Sequence, residues 1–407
     1  MRFRLETIIA RQPIFNETRR LFAYELLYRG ADAMDLEHVG GNRATSSLLT
    51  SSFLTEGLEK ISGNKPCFVN FTEELLLQNI AESFPHRSII VEILEDVPVT
   101  DAVISACRNL KELHYKLALD DFIYHEKFIP LLQLADIIKI DFRLTPVDQI
   151  SHTLQQIEPF KLDLLAEKVE TYAEFAEARK LGFKYFQGYF FAKPEEMRIK
   201  ELTTSKLTLL NLLSEINRKD VSSKKMAEII SADVSLSYKL LRYINSAYFY
   251  LIQEIESIAY AVTYLGENEI RRFVTLAVIS EISANKPAEL VRLAAVRAKF
   301  CEMLGAASGF KTKPNELFML GLFSLLDAML DAPINDILRK IPLSNNIKDA
   351  LIKQSGPLAG FLPCVVAYEQ GRRSECFQTL EMLHIPEKNV FPLYLSSLEF
   401  ADIFVNF

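Results

Sequence analysis

Six short apolar runs in the first half of the chain each carry a polar residue inside the run or at its end. They are CFVNF at 67–71, SIIVEIL at 88–94, KLALDDF at 116–122, DIIKIDF at 136–142, DLLAEKV at 163–169 and YFQGYFF at 185–191. Runs of this length, rich in Ile, Val, Leu and Phe, read as strands buried on both faces. LFAYELLYR at 21–29 is an earlier strand candidate. Segments with helical spacing lie between the runs, among them VTDAVISACRNLKEL and TYAEFAEARKLG. Gly182 ends the second of these, where a helix C-cap belongs. Strand and helix in alternation imply right-handed βαβ units and a parallel sheet.

The polar residues are Asn70, Glu92, Asp120, Lys139, Glu167 and Gln187. A carboxylate in a buried sheet is costly unless it is paired or bound to a metal. In a closed α/β barrel the carboxyl ends of the strands converge on one mouth, where reactive groups gather. A Rossmann sheet is the competing fold, but no GxGxxG stands between a strand and a helix. The expectation is therefore α/β plus all-α, with a TIM-like (β/α) barrel first.

From about Met197 helical patterns dominate, as in SKLTLLNLLSEINRK, VSLSYKLLRYINSAYF and SIAYAVTYLGENEIRRFVTLAVISEI. The polar segment after Pro194 marks the change, so the expected domains are 1–198 and 199–407. With 407 residues, two or three domains fit. A hydrophobic fraction of 49% excludes a mainly disordered chain. The net charge of −7 argues against a dedicated duplex-DNA binder. Cys67, Cys107, Cys301, Cys364 and Cys376 are odd in number, widely spaced and without a CxxC. They fit buried thiols in a reducing compartment, not a disulfide framework or a zinc site. The N-terminal apolar stretch is hemmed in by Glu6 and Arg11, so no signal peptide is expected. The longest apolar run, Leu317 to Leu326, is far short of the roughly 18 residues that span a bilayer. It reads as a buried core helix, and no membrane insertion is expected. The expected location is the cytoplasm.

Taken in order, the motifs resemble a known family. Glu25-Leu26-Leu27 is followed by VNFTE, VEILE, LALDDF, IKIDF, AEKVE and FQGYFFAKP. The first half resembles the EAL domain, the phosphodiesterase module of cyclic di-GMP signalling. The second half resembles the HDOD domain, a helical relative of HD hydrolases. Together they resemble the EAL–HDOD signalling proteins of bacteria. The signature differs at its central position, which is Leu26, and the loop after the Asp pair lacks the family's glycines, reading Phe122-Ile123-Tyr124-His125-Glu126.

The resemblance implies a role for each matching residue. Glu25, Asn70, Glu92 and Asp120 would hold a first divalent metal, and Asp121 and Glu167 would surround a second. Lys139 would stand near the attacking water, and Glu25 and Glu167 would share in catalysis with it. Gln187 would complete the pocket, Arg29 would contact the substrate phosphate, and Glu95 would support the loop after the Asp pair. The implied cofactor is Mg²⁺ or Mn²⁺ in a two-metal site. Such ions favour hard oxygen ligands, and a metal pair stabilises both the attacking and the leaving oxygen of a phosphodiester. The implied ligand is cyclic di-GMP, with linear pGpG as product.

The second half departs from HD hydrolases in one respect. The histidines are His38, His86, His114, His125, His152 and His384, so none lies between 201 and 383. That stretch cannot build a multi-histidine metal site. A regulatory or partner-binding module is expected there, through a protein partner that the sequence does not name; a homodimer is an open alternative.

Each feature has a plainer reading. A lone Asp or Glu at a strand end is ordinarily a helix N-cap or a surface charge, and only the ordered set argues otherwise. His125 reads as a loop residue. Tyr243, Tyr248, Phe249 and Tyr250 read as core before docking surface. Arg271-Arg272 read as the solvated face of an amphipathic helix. Three functions stay open: a cyclic di-GMP phosphodiesterase, a catalytically silent cyclic di-GMP receptor, and a scaffold that binds no nucleotide.

Overall fold

A computed structural model describes residues 8–29, 58–193, 204–218, 221–249, 251 and 253–405. The chain divides into two compact units, the first Met1–Phe190 with Glu369–Gly371 and the second Phe191–Tyr368 with Arg372–Phe407. The boundary expected at 198/199 falls within 194–203, outside the described residues.

The first unit is a closed eight-stranded barrel with its strands in sequence order. The strands are β1 (Ile8–Asn16), β2 (Leu21–Arg29), β3 (Cys67–Phe71), β4 (Ile89–Ile93), β5 (Lys116–Leu119), β6 (Ile137–Asp141), β7 (Asp163–Glu167) and β8 (Tyr185–Gln187). The strands from β2 to β8 pair in parallel, each with the next. β1 differs, running antiparallel to both β2 and β8. Alternating strand and helix patterns do not foretell β1, because a hairpin joins it to β2. Asn16 builds the turn: its Oδ1 accepts from Thr18 N at 3.0 Å and Arg20 N at 2.9 Å. Arg19 adopts a φ of 59° there.

Side chains two residues apart share one face of a strand. One buried residue from each strand forms a single apolar cluster: Ile14, Ala23, Phe68, Ile90, Ala118, Ile137, Leu165 and Tyr185. Helices close the outside with ordinary signals. Thr100 caps Asp101–Glu112, and Thr171 with Glu174 forms a capping box on Tyr172–Lys180. Gly182 follows with a φ of 92°, and its N–H reaches Arg179 O, as its place in the sequence suggests.

The second unit is helical. Gly266 takes a non-helical conformation within Ile258–Ile282, so the long periodic segment is two helices meeting at a kink. Leu317–Phe323 are all buried in the helix Pro314–Phe323, as the apolar run predicts. Tyr243 is buried, stacks on Phe273 and donates its hydroxyl to Glu269 at 2.5 Å. Tyr248 is exposed, so the core reading fails at that position, and Tyr250 lies outside the described residues. All five cysteines are free and buried. Among the described residues no helix is long and apolar enough to cross a membrane.

The arginine pair does not lie on a solvated face. Arg271 is buried and donates to the carbonyls of Ile216, Arg218 and Val221. Arg272 lies over the Phe318 ring and pairs with Glu269 and Glu302. Glu269 is a neighbour on the same helix, but Glu302, Phe318 and the three carbonyls come from other segments, so helical periodicity alone misplaces both arginines.

Gly321 sets how closely the helices Ala288–Ala307 and Pro314–Phe323 approach. A Cβ there would stand 2.3 Å from Arg297 O, a backbone atom that has no rotamer to escape into. Gly321→Ala should therefore lower stability by about 1–3 kcal/mol through overpacking. Urea unfolding followed by far-UV circular dichroism measures this; an unchanged midpoint would show that the backbones separate freely.

Candidate active site at the carboxyl ends of the strands

Two residues beyond the apolar cluster, each strand presents one polar side chain on the same face. From β2 to β8, running just past the end of β5, these are Glu25, Asn70, Glu92, Asp120, Lys139, Glu167 and Gln187. β1 runs the other way and contributes Gln12, which is in register with Glu25. The period of two thus turns an apolar layer into a polar layer within one pleat.

Lys139 is the centre of this layer. Its side chain is 1% exposed, and its Nζ lies 2.8 Å from Asp120 Oδ1, 2.8 Å from Glu167 Oε1 and 3.6 Å from Glu25 Oε2. It also pairs with Glu92, which is completely buried. Burial opposes charge on Lys139, but Glu167, Glu25, Glu92 and Asp120 outweigh it and raise its pKa well above the usual lysine value. Burial likewise pushes Glu92 well above the carboxylate range, against the pull of Lys139. Burial pushes Glu167 up to about 8, with Asp120 and Glu25 adding to the shift and Lys139 opposing it. At Asp120 burial also acts upwards, but there the Lys139 charge prevails and the pKa falls below the usual value.

Gln187 orients Glu25. Its Nε2 donates to Glu25 Oε2 at 2.5 Å and to Gln12 Oε1 at 2.9 Å. Gln12 is the site residue that sequence reasoning missed. Its signal is the register of a hairpin, which no apolar run announces.

Asp121 turns away from this ring, with a φ of 38°. Burial and the neighbouring Asp120 raise its pKa. Carboxylate oxygens of Glu95, Asp120 and Asp121 lie within 4.8 Å of one another, so Glu95 joins the candidate ligands as well as the loop. A cavity of about 30 Å³ adjoins these three residues. The glycine-free loop is held by packing: Phe122 N donates to Lys139 O at 2.9 Å, and its ring meets Phe128. His125 accepts from Lys127 N through Nδ1, so it caps a short 3₁₀ turn as a loop residue should. The side chain of Arg29, at the end of β2, lies outside the described residues.

Two observations test whether divalent cations suit this mouth. Asn70 Oδ1, Glu92 Oε2, Asp121 Oδ1, Glu167 Oε2 and Gln187 Oε1 are all buried without a hydrogen-bond partner. Five such oxygens in one mouth are expensive unless a cation meets them. Glu25, Glu92, Asp120 and Glu167 share the single cation Lys139, and Glu95 and Asp121 add further acid beside Asp120, so acids outnumber the cation at the centre of the mouth. The donors are all oxygen, as hard cations require. The residues fit such ions.

Removing the central cation should leave the carboxylates uncompensated. In metal-free protein Lys139→Met should cost about 3–5 kcal/mol of unfolding free energy. Added Mn²⁺ should restore part of it. Denaturant titrations with and without the ion measure both effects, and a loss near zero would remove Lys139 from the centre of the electrostatics.

Comparison with known proteins follows the same division of the chain. The EAL domain model matches residues 57–194, and the HDOD domain model matches residues 202–329. The uncharacterized protein YuxH of Bacillus subtilis (strain 168) is 36% identical over 405 residues, covering 98% of both chains. CdgJ of Vibrio cholerae, named a cyclic di-GMP phosphodiesterase, is 36% identical over 382 residues, covering 91% of this chain and 88% of its own. Among solved structures, an EAL domain protein from Listeria monocytogenes EGD-e is 18% identical with a TM-score of 0.38, covering 46% of this chain and 87% of its own. A standalone EAL protein from Vibrio cholerae O395, in its c-di-GMP-bound form, is 23% identical with a TM-score of 0.38, covering 47% of this chain and 93% of its own. Two domain models in sequence, and relatives that match nearly end to end, make this chain a member of the EAL–HDOD two-domain family.

Proposed function

We propose that this protein hydrolyses cyclic di-GMP to linear pGpG in a reaction dependent on Mg²⁺ or Mn²⁺. The observation that carries the reading is the ring around Lys139, with its buried, unpartnered oxygens. Full-length similarity to CdgJ, a cyclic di-GMP phosphodiesterase by name, supports the substrate.

Glu25, Asn70, Glu92 and Asp120 would hold a first ion, and Asp121 and Glu167 a second, with Glu95 within reach of the Asp pair. Bound there, two divalent ions supply an activated water and charge neutralisation at the phosphoryl oxygens. Gln187 and Gln12 keep Glu25 in one orientation. Lys139 draws the carboxylates into one arrangement before substrate arrives, so little reorganisation remains for the reaction. As an ammonium it acts as a hydrogen-bond donor and cation beside the attacking water, not as a base. Arg29 is proposed to meet a substrate phosphate.

The helical unit is proposed as a regulatory or partner-binding module acting in the cytoplasm. Its stretch from 201 to 383 lacks histidine, so HD-type metal chemistry is not available to it. Its protein partner, and a homodimer of the whole chain, belong to the same proposal.

Turnover of cyclic di-GMP, read as pGpG with binding measured on the same preparation, tests the reading. Glu25→Ala should cut turnover on the order of 100-fold or more. Lys139→Ala should lower kcat by about 100-fold while changing nucleotide Kd only a few-fold. Chelation should stop the reaction, and Mg²⁺ or Mn²⁺ should restore it. Tight binding without turnover would make the chain a receptor, and equal losses of kcat and affinity in Lys139→Ala would remove its catalytic role.

A further inference from the structure

Lys168 stands immediately after Glu167 at the end of β7, with a φ of 54°. Its ammonium lies 2.5 Å from Asp141 Oδ2 and 3.8 Å from Asp121 Oδ1, and its side chain is half-exposed. The two carboxylates are not equivalent. Asp141 caps the turn after β6, its Oδ1 accepting from Arg143 N at 2.7 Å and Leu144 N at 2.9 Å. It keeps those bonds whatever Lys168 does. Asp121 Oδ1 is buried, makes no hydrogen bond and has Lys168 as its cationic neighbour. On its other side the Asp121 carboxylate shares a 4.8 Å cluster with Glu95 and Asp120.

We propose that Lys168 competes with a divalent cation for Asp121 and so weakens the second of the two metal positions. The inference rests on the metal-dependent reading of the mouth and assigns a residue outside the carboxylate ring to its regulation. A cation held by Asp121 Oδ1 meets the ammonium already beside that oxygen, and like charges at this separation repel even in a partly solvated setting. When metal is scarce, the same ammonium compensates Asp121. Lys168 forms ion pairs with Asp121 and Asp141, and none with Glu25, Glu92 or Asp120, so its effect falls on the second position.

The test is Mn²⁺ binding to the full chain without substrate, followed by the paramagnetic resonance signal of the free ion. The wild-type chain should bind two classes of Mn²⁺, and Asp121→Asn should remove the weaker. Lys168→Gly should tighten the weaker class by about tenfold, while Lys168→Arg, which keeps the charge, should stay within about twofold of wild type. Glycine suits the positive φ at this position, so the variant is not threatened by backbone strain. A weaker class left unchanged or loosened by Lys168→Gly overturns the competition. If the wild-type chain binds no Mn²⁺ that Glu92→Gln can remove, the metal reading itself fails and the competition with it.

Discussion

One buried ammonium organises the barrel mouth. Lys139 Nζ faces Glu25, Glu92, Asp120 and Glu167, which come from four different strands or strand ends. None of these carboxylates is tolerable alone at that depth, and the ammonium is no better without them. Their mutual dependence explains why the group occurs as a set around one point. It also explains the electrostatic imbalance: one cation cannot neutralise so many acids, and the remainder invites hard divalent ions.

The barrel makes this concentration affordable by separating it from the hydrophobic core by one pleat. The apolar cluster from Ile14 to Tyr185 supplies one residue per strand, and the polar layer begins two residues further along. Stability and chemistry are thus stacked on the same strands without competing for the same positions. The antiparallel β1 adds something a uniform parallel barrel would lack. It places Gln12 opposite Glu25, so that Gln187 bridges two strands and fixes the carboxylate between them. The altered loop after Asp121 follows the same logic, since aromatic packing of Phe122 on Phe128 and the His125 cap replace the freedom that glycines would give.

The helical unit uses buried charge differently. Arg271 is tied to three backbone carbonyls and Arg272 to two glutamates, so both serve to fix helices and connecting segments. Gly321 lets two helices meet backbone to backbone. Such interactions hold the helices and connecting segments of this unit in one arrangement.

Much of this protein is legible in the chain itself. Buried strand runs separated by helical segments dictate a parallel α/β unit, because only covered faces can be apolar on both sides. The residues at the ends of those runs, Asn70, Glu92, Asp120, Lys139, Glu167 and Gln187, announce a mouth because strand ends converge. Periodicity describes one element at a time, however, and says nothing of what that element meets. β1 and Gln12 escaped because hairpin register is a pairing property. Arg271 and Arg272 were misplaced because the carbonyls that bind Arg271, and Glu302 and Phe318 that meet Arg272, are distant in sequence. The kink at Gly266 was invisible to a continuous apolar pattern. That Lys139 gathers four acids, that five oxygens stay unpartnered, and that Lys168 reaches Asp121 are facts of distance. Charges interact through space, and only the closed barrel brings those charges together.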